Sequence, residues 1–444
     1  MPFGRFFGGK AAAPKSAPEP ELESEAADAV EASSDDDTEI VKEHDDADYR
    51  TRAIGVMPTG ASTGSKRVEA LYGSPDAVGP THFSQAVGCR VTDVDGIEYI
   101  DCTMALGSVA LGYAETNVTR SVVDAIARGN VAGLSSAREV EVAERLCGVI
   151  PCADKVQFLK TGAEAMAAAV RLARTYTARD VVIASGYFGW LDWAAEDNPG
   201  VPVSTRQLVR HVPRDDIDAL TNAVSQVGSQ LAAIVIEPVV ERLPSKEWIV
   251  KARELASSVG AVLIFDEIKT GFRLRTGGYQ AFAEVIPDLS AFGKAMANGF
   301  PLSVVCGHHD VMDAAKKTWI SSTLASEGSA LAAAAAVLSW HDQADVCESL
   351  ATIGAEIRAA VSHAIEASGV RGPEIDGLDR MWLMRWDSPK REQRFLELAA
   401  AHGVLFKRGA YNYSALAHDE DAIREIEAGA SDAFVELRDE EAAE

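Results

Sequence analysis

A chain of 444 residues, 47% of them hydrophobic, is long enough to bury a substantial core. Its 67 acidic against 42 basic residues give a formal net charge of −25, which argues against nucleic acid or an anionic membrane as partner of the folded body. No apolar stretch reaches bilayer length, and MPFGRFFGGK lacks the h-region and cleavage pattern of an export signal. The six cysteines (Cys89, Cys102, Cys147, Cys152, Cys306, Cys347) form no CxxC pair, so a soluble protein of the reducing cytoplasm is expected.

Residues 1–50 are rich in Ala, Pro, Glu, Asp and Ser and poor in large apolar side chains, a composition that cannot offset ordering entropy and predicts a disordered acidic tail. Three phenylalanines beside Arg5 and Lys10 make its start a candidate docking peptide for a partner protein. From Phe83 to Asp101, β-formers alternate around the turn pair Asp95-Gly96 and predict a hairpin. Apolar runs at 156–160, 181–185, 231–239, 261–267 and 289–294 then alternate with helical stretches, the pattern of a mostly parallel sheet covered on both faces. After residue 330 the chain is mainly amphipathic helix, with RMWLMRW at 380–386 as a strand and DEDAIREIEAGASDAFVEL as a closing helix. A central α/β domain flanked by a smaller one built from both chain ends follows.

Three of the apolar runs end in reactive chemistry. Thr161, Gly162 and Ala163 form a small-residue turn before a long helix; Thr161 and Glu164 fit a capping box, and free amides at such a helix start suit a phosphate. Asp266 and Glu267 close the run AVLIFDE. Lys294 sits in FGKAMA among small and apolar residues, where poor solvation lowers its pKa and frees the amine as a nucleophile. A nucleotide-binding phosphate loop is excluded, since the nearest approach to its pattern has Asp288 at the first glycine position and Ala295 at the Ser/Thr position. No metal site is expected either, because His308 and His309 are neighbours whose side chains should diverge. Pyridoxal 5′-phosphate (PLP) needs a lysine for a Schiff base, a carboxylate for its ring nitrogen, a helix start for its phosphate and an aromatic face for its ring, with Tyr187 of ASGYFGWLDW as the candidate aromatic.

The segments FLKTGAEAMAAAVRLAR, GYFGWLDW, IVIEPV, LIFDEIKTGFR, FGKAMANGFPLS and SSTLASEGSALAAA resemble, in order and spacing, the class III aminotransferases of PLP fold type I, most closely the branch that includes glutamate-1-semialdehyde aminomutase. The resemblance covers roughly residues 68–435. It implies a large domain with a mainly parallel seven-stranded sheet and a smaller α+β domain. The tail would be 1–50, the N-terminal part of the small domain 51–115, the large PLP-binding domain 116–330 and the C-terminal small domain 331–444. It implies Lys294 as the Schiff-base lysine and proton carrier, Asp266 on the pyridine nitrogen, Ile268 and Tyr187 on the two ring faces, and Thr161, Gly162 and Ala163 at the phosphate. Thr323 would reach the phosphate of a neighbouring subunit, making the enzyme a homodimer with shared active sites. Glu237 of the Glu-Pro motif is left as either structural or a support behind the residues that touch the cofactor.

This chain departs from the family pattern in having Phe188 and Leu191 where polar residues are common, and in lacking a C-terminal carboxylate-clamping arginine. The aminomutase's early arginine, which holds its substrate carboxylate, has no match in LYGSPDAVGPTHF. Arg242, Lys407 and Arg408 remain as anion contacts. The expected activity is therefore a transaminase moving an amino group from a small-molecule amino donor to an oxo acceptor. A glutamate-1-semialdehyde-type 2,1-aminomutase is the alternative, and a non-catalytic PLP-binding scaffold is a second one.

Overall fold

The computed structural model describes residues 45–443 except Asp197 and Glu284, so most of the predicted tail lies outside the described residues. The part of it that is described is helical. A helix spans Asp46–Val56, and its Asp46 carboxylate is buried, accepting from Arg50 Nε at 2.8 Å, the Thr81 amide at 3.0 Å and the His82 amide at 2.9 Å. These bonds tie the segment to the folded body, so the composition shift near residue 50 overshoots the onset of structure by a few residues.

The predicted hairpin is present. Strands β1 (Phe83–Val87), β2 (Arg90–Asp93) and β3 (Glu98–Asp101) pair antiparallel, with the Asp93 carboxylate accepting the Asp95 and Ile97 amides to close the turn. The large sheet comprises β4 (Lys155–Leu159), β5 (Val181–Ser185), β6 (Val209–His211), β7 (Leu231–Ile236), β8 (Val262–Asp266), β9 (Leu289–Phe292) and β10 (Ser303–Gly307), in the order β4-β10-β9-β8-β7-β5-β6. Only β10 runs against its neighbours. Every residue of β7, β8, β9 and β10 is buried. Ile234, Ile236, Leu263 and Phe265 enter one core, whereas Ala233, Val235, Val262 and Ile264 enter another under the helix Gly162–Thr177. That two-sided burial explains why these strands read as continuous apolar runs.

The chain ends meet in the small domain. Strand β11 (Glu374–Leu378) pairs with β12 (Met381–Arg385), β13 (Val404–Leu405) joins β3 in parallel, and β14 (Asn412–Tyr413) joins β12. The helices Val346–Ser368 and Glu420–Ala443 pack together beside a Phe395–Phe434 stack with centroids 4.3 Å apart. The boundary expected at 330 falls inside the helix Gly328–Gln343. Its buried alanines Ala330 and Ala332–Ala334 let it lie close on the helix Thr116–Ala127 and on the turn Lys294–Ala297, which places it with the large domain.

Candidate active site

Asp266 ends β8, Lys294 follows β9, Gly162 opens the helix after β4 and Tyr187 follows β5, so all four stand beyond the carboxyl ends of the sheet, where open α/β sheets gather ligands. The Ile268 side chain draws three of these segments together. A Cβ built on Gly162 would stand 3.1 Å from Ile268 Cδ1 and one on Gly293 would stand 3.2 Å from it, so both glycines leave room for that side chain. The capping box at the helix start is complete. Thr161 Oγ1 accepts the Glu164 amide at 3.2 Å and donates to the Glu164 carboxylate at 3.1 Å, while the same carboxylate accepts the Thr161 amide at 2.8 Å. The Thr161 side chain is thereby engaged in shaping the turn, and the amides of Gly162 and Ala163, which begin the helix, are left for an anion.

Burial raises the Asp266 carboxyl to about 8, with the Glu237 charge adding to the effect and the Ile268 amide at 3.0 Å, Lys294 and Lys269 opposing it. Burial lowers the Lys294 amine to about 8, Lys269 lowers it further, and Asp266 and Glu237 oppose. Lys294 also has φ 47°, a left-handed backbone that a side chain adopts only under restraint from its surroundings. The lysine of FGKAMA is thus desolvated in the folded chain and within electrostatic reach of Asp266, as its small and apolar neighbours predict.

Tyr187 is 75% exposed, on a loop fixed from below. Gly189 has φ +90°, and a Cβ there would stand 2.5 Å from Ala163 Cβ, so the loop rests directly on the helix start. Beneath the loop, Glu237 accepts the Tyr187 amide at 3.1 Å and pairs with Lys269 Nζ at 2.7 Å. Ser185 Oγ, on a residue only 3% exposed, has no hydrogen-bond partner among the described residues. A buried carboxyl, a desolvated amine and a glycine-lined helix start suit the ring nitrogen, the aldehyde and the phosphate of PLP, so the residues present fit that cofactor.

Other predicted residues are dispersed. Thr323 is exposed in the segment before the helix Gly328–Gln343. Arg242 is exposed; Lys407 Nζ donates to the Ala70 carbonyl at 2.8 Å; Arg408 lies 3.7 Å from Glu392. Glu267 accepts the amides of Tyr279 at 2.8 Å and Gln280 at 3.0 Å, a structural duty. Three residues escaped the sequence reading: Ser185, Lys269 and Arg67. Arg67 precedes the segment searched for an early arginine. Its Nε is buried with no partner among the described residues, and it lines a cavity of about 550 Å³ with Tyr72, Thr103, Ala105 and Phe406.

His308 and His309 do not diverge as expected. Their rings stand 4.3 Å apart and, with Asp154, offer three ligand atoms within 4.8 Å of one another. Asp154 immediately precedes β4 and His308 follows the antiparallel β10, so this cluster lies at the end of the sheet opposite Lys294. All three groups are exposed and already bonded among themselves, Asp154 Oδ2 taking the His309 amide at 2.9 Å and its ring at 3.1 Å.

The sequence matches the family described as aminotransferase class-III over residues 73–189 and 199–416. It is 30% identical to a glutamate-1-semialdehyde 2,1-aminomutase of Pyrobaculum islandicum over 429 residues, covering 87% of this chain and 98% of that one. A 3-aminobutyryl-CoA aminotransferase of Cloacimonas acidaminovorans is 33% identical over 299 residues, 66% of this chain and 72% of that one. Among solved structures, the PLP internal-aldimine form of the FumI protein of Sphingopyxis sp. MTA144 superposes with a TM-score of 0.84 at 26% identity, covering 90% of this chain and 97% of that one.

Proposed function

The chain belongs to the class-III aminotransferase family and is a PLP-dependent enzyme, and from that premise we propose that it is a 2,1-aminomutase of the glutamate-1-semialdehyde type, shifting an amino group between neighbouring carbons of one bound molecule. The observation that carries this reading is collinearity: the match to the Pyrobaculum enzyme runs over nearly its whole length, whereas the match to the 3-aminobutyryl-CoA aminotransferase stops at 72% of that chain. The higher identity within that shorter match keeps an intermolecular transaminase as the second reading.

PLP when bound supplies an aldehyde and an electron-withdrawing ring. Lys294 provides the neutral amine for the aldehyde and carries the proton to and from the substrate carbon. Its lowered pKa keeps a usable fraction of free base near neutrality. Asp266 would hold the proton on the ring nitrogen, Ile268 and Tyr187 would cover the ring faces, and the Gly162 and Ala163 amides would hold the phosphate. Thr161 acts through the capping box that orients those amides. Thr323 completes the phosphate site of a second copy, so the working form is a homodimer. The unpaired state of all six cysteines and the lack, among the described residues, of a helix long and apolar enough to cross a membrane support a cytoplasmic location.

The test is turnover of glutamate-1-semialdehyde alone. Conversion to its 2,1-isomer with no added donor or acceptor, lost in Lys294→Ala, is the expected result. A requirement for a second substrate, with release of a free oxo product, would put the transaminase in its place.

A further inference from the structure

Lys269 is a buried cation with no duty in the chemistry above. It lies three residues past Asp266, its side chain is 10% exposed, and Nζ stands 2.7 Å from Glu237 Oε1, 3.3 Å from the Tyr411 hydroxyl and 4.3 Å from the centroid of the Tyr411 ring. Tyr411 is itself held, since its hydroxyl accepts the Glu241 amide at 2.8 Å. Desolvating an ammonium–carboxylate pair is costly, and removing either partner strands the other. What the pair fixes is visible at the second carboxylate oxygen: Glu237 Oε2 accepts the Tyr187 amide at 3.1 Å. The residue before it, Gly186, has φ +136°, and a Cβ there would stand 2.4 Å from Glu237 Cβ, so the loop is seated on this glutamate with no room to spare.

We infer that Lys269 is a positioning residue for Tyr187, clamping the Glu237 carboxylate so that it holds the loop at the height needed to cover the cofactor ring. The inference rests on the reading of Tyr187 as the ring-covering residue. Without the ammonium, Glu237 takes a proton or turns toward solvent, and the Tyr187 amide loses its charged acceptor. The loop is then free to lift, and the cofactor loses one of its two covered faces.

A double-mutant cycle separates this role from general weakening of the fold. PLP dissociation constants would be measured by equilibrium dialysis for the wild type, Lys269→Met, Tyr187→Ala and the double variant, with the thermal midpoint of each recorded. Each single change is expected to weaken PLP binding by roughly three- to tenfold, the range of one lost ordinary hydrogen bond or ring contact, because the effect reaches the cofactor only through the loop. The double variant should bind no more weakly than Tyr187→Ala, and Lys269→Arg should restore affinity. Wild-type affinity in Lys269→Met, or losses that multiply in the double variant, would overturn the clamp and leave the proposed function standing. Unchanged affinity in Tyr187→Ala would instead remove the reading of Tyr187 and the inference with it. If Lys269→Met does not fold, Glu237→Gln takes its place in the cycle, because it keeps the acceptor oxygen and shape while removing the charge.

Discussion

Asp266 and Lys294 pull the stability of the cofactor-free chain in opposite directions as pH changes. Asp266 is raised from 3.8 to about 8, so the folded state binds more protons than the unfolded one between those values, and stability falls as pH rises through that window. Lys294 is lowered from 10.5 to about 8, so the unfolded state binds more protons between 8 and 10.5, and stability rises there. The buried carboxylate is thus a standing cost above pH 8, one that the proposed pairing with the cofactor's ring nitrogen would offset. Asp266→Asn is expected to stabilise the cofactor-free protein at pH 9 by on the order of 3 kcal/mol and to change it little at pH 4, while abolishing turnover. Thermal unfolding of both proteins at the two pH values checks this; an equal or lower midpoint for the variant at pH 9 would show that Asp266 is ionised without strain.

At the level of elements, the helix Gly162–Thr177 shows what local sequence can specify. Thr161 and Glu164 at capping-box spacing predict its start, and the structure closes that box with three hydrogen bonds. Thr161→Ala should cost about 1 kcal/mol, read as a lower urea midpoint at unchanged slope, and should weaken PLP binding only through the looser turn. Strands β5, β7, β8 and β9 were legible for a related reason, since burial on both faces leaves an unbroken apolar signature. Strand β6 has only three residues, and β10, framed by Pro301 and Gly307, is the one strand that breaks the parallel alternation, so neither announces itself. The site was legible where one residue carries one chemistry, as at Asp266 and Lys294. Lys269, Ser185 and Arg67 were not, because what distinguishes them is a partner, or the lack of one, brought by segments distant in sequence.

For the whole molecule, the question is what covers the apolar surface beside the loop that carries Thr323. Asn130 joins two segments there: its carbonyl accepts the Gly328 amide at 2.7 Å and its side-chain oxygen accepts the Ser329 amide at 2.8 Å. Those bonds set the loop bearing Val131 and Leu134, which is 86% exposed, against the loop bearing Thr323 and the half-exposed Leu324. On a chain with a formal net charge of −25, these exposed apolar side chains are the surface on which the second copy proposed above would pack. Placing a charge at its centre by Leu134→Glu is expected to weaken dimerisation by roughly 30-fold or more, seen as monomer in sedimentation velocity. The monomer should also release PLP on dialysis if, as proposed above, Thr323 of a second copy completes the phosphate site. Since two acidic chains repel, added salt should strengthen the wild-type dimer rather than dissolve it, as counter-ions screen the repulsion and leave apolar burial in place. A dimer that weakens with salt would mean that ion pairs, not this patch, hold the copies together, and a Leu134→Glu monomer that keeps PLP at wild-type affinity would mean that each chain completes its own site.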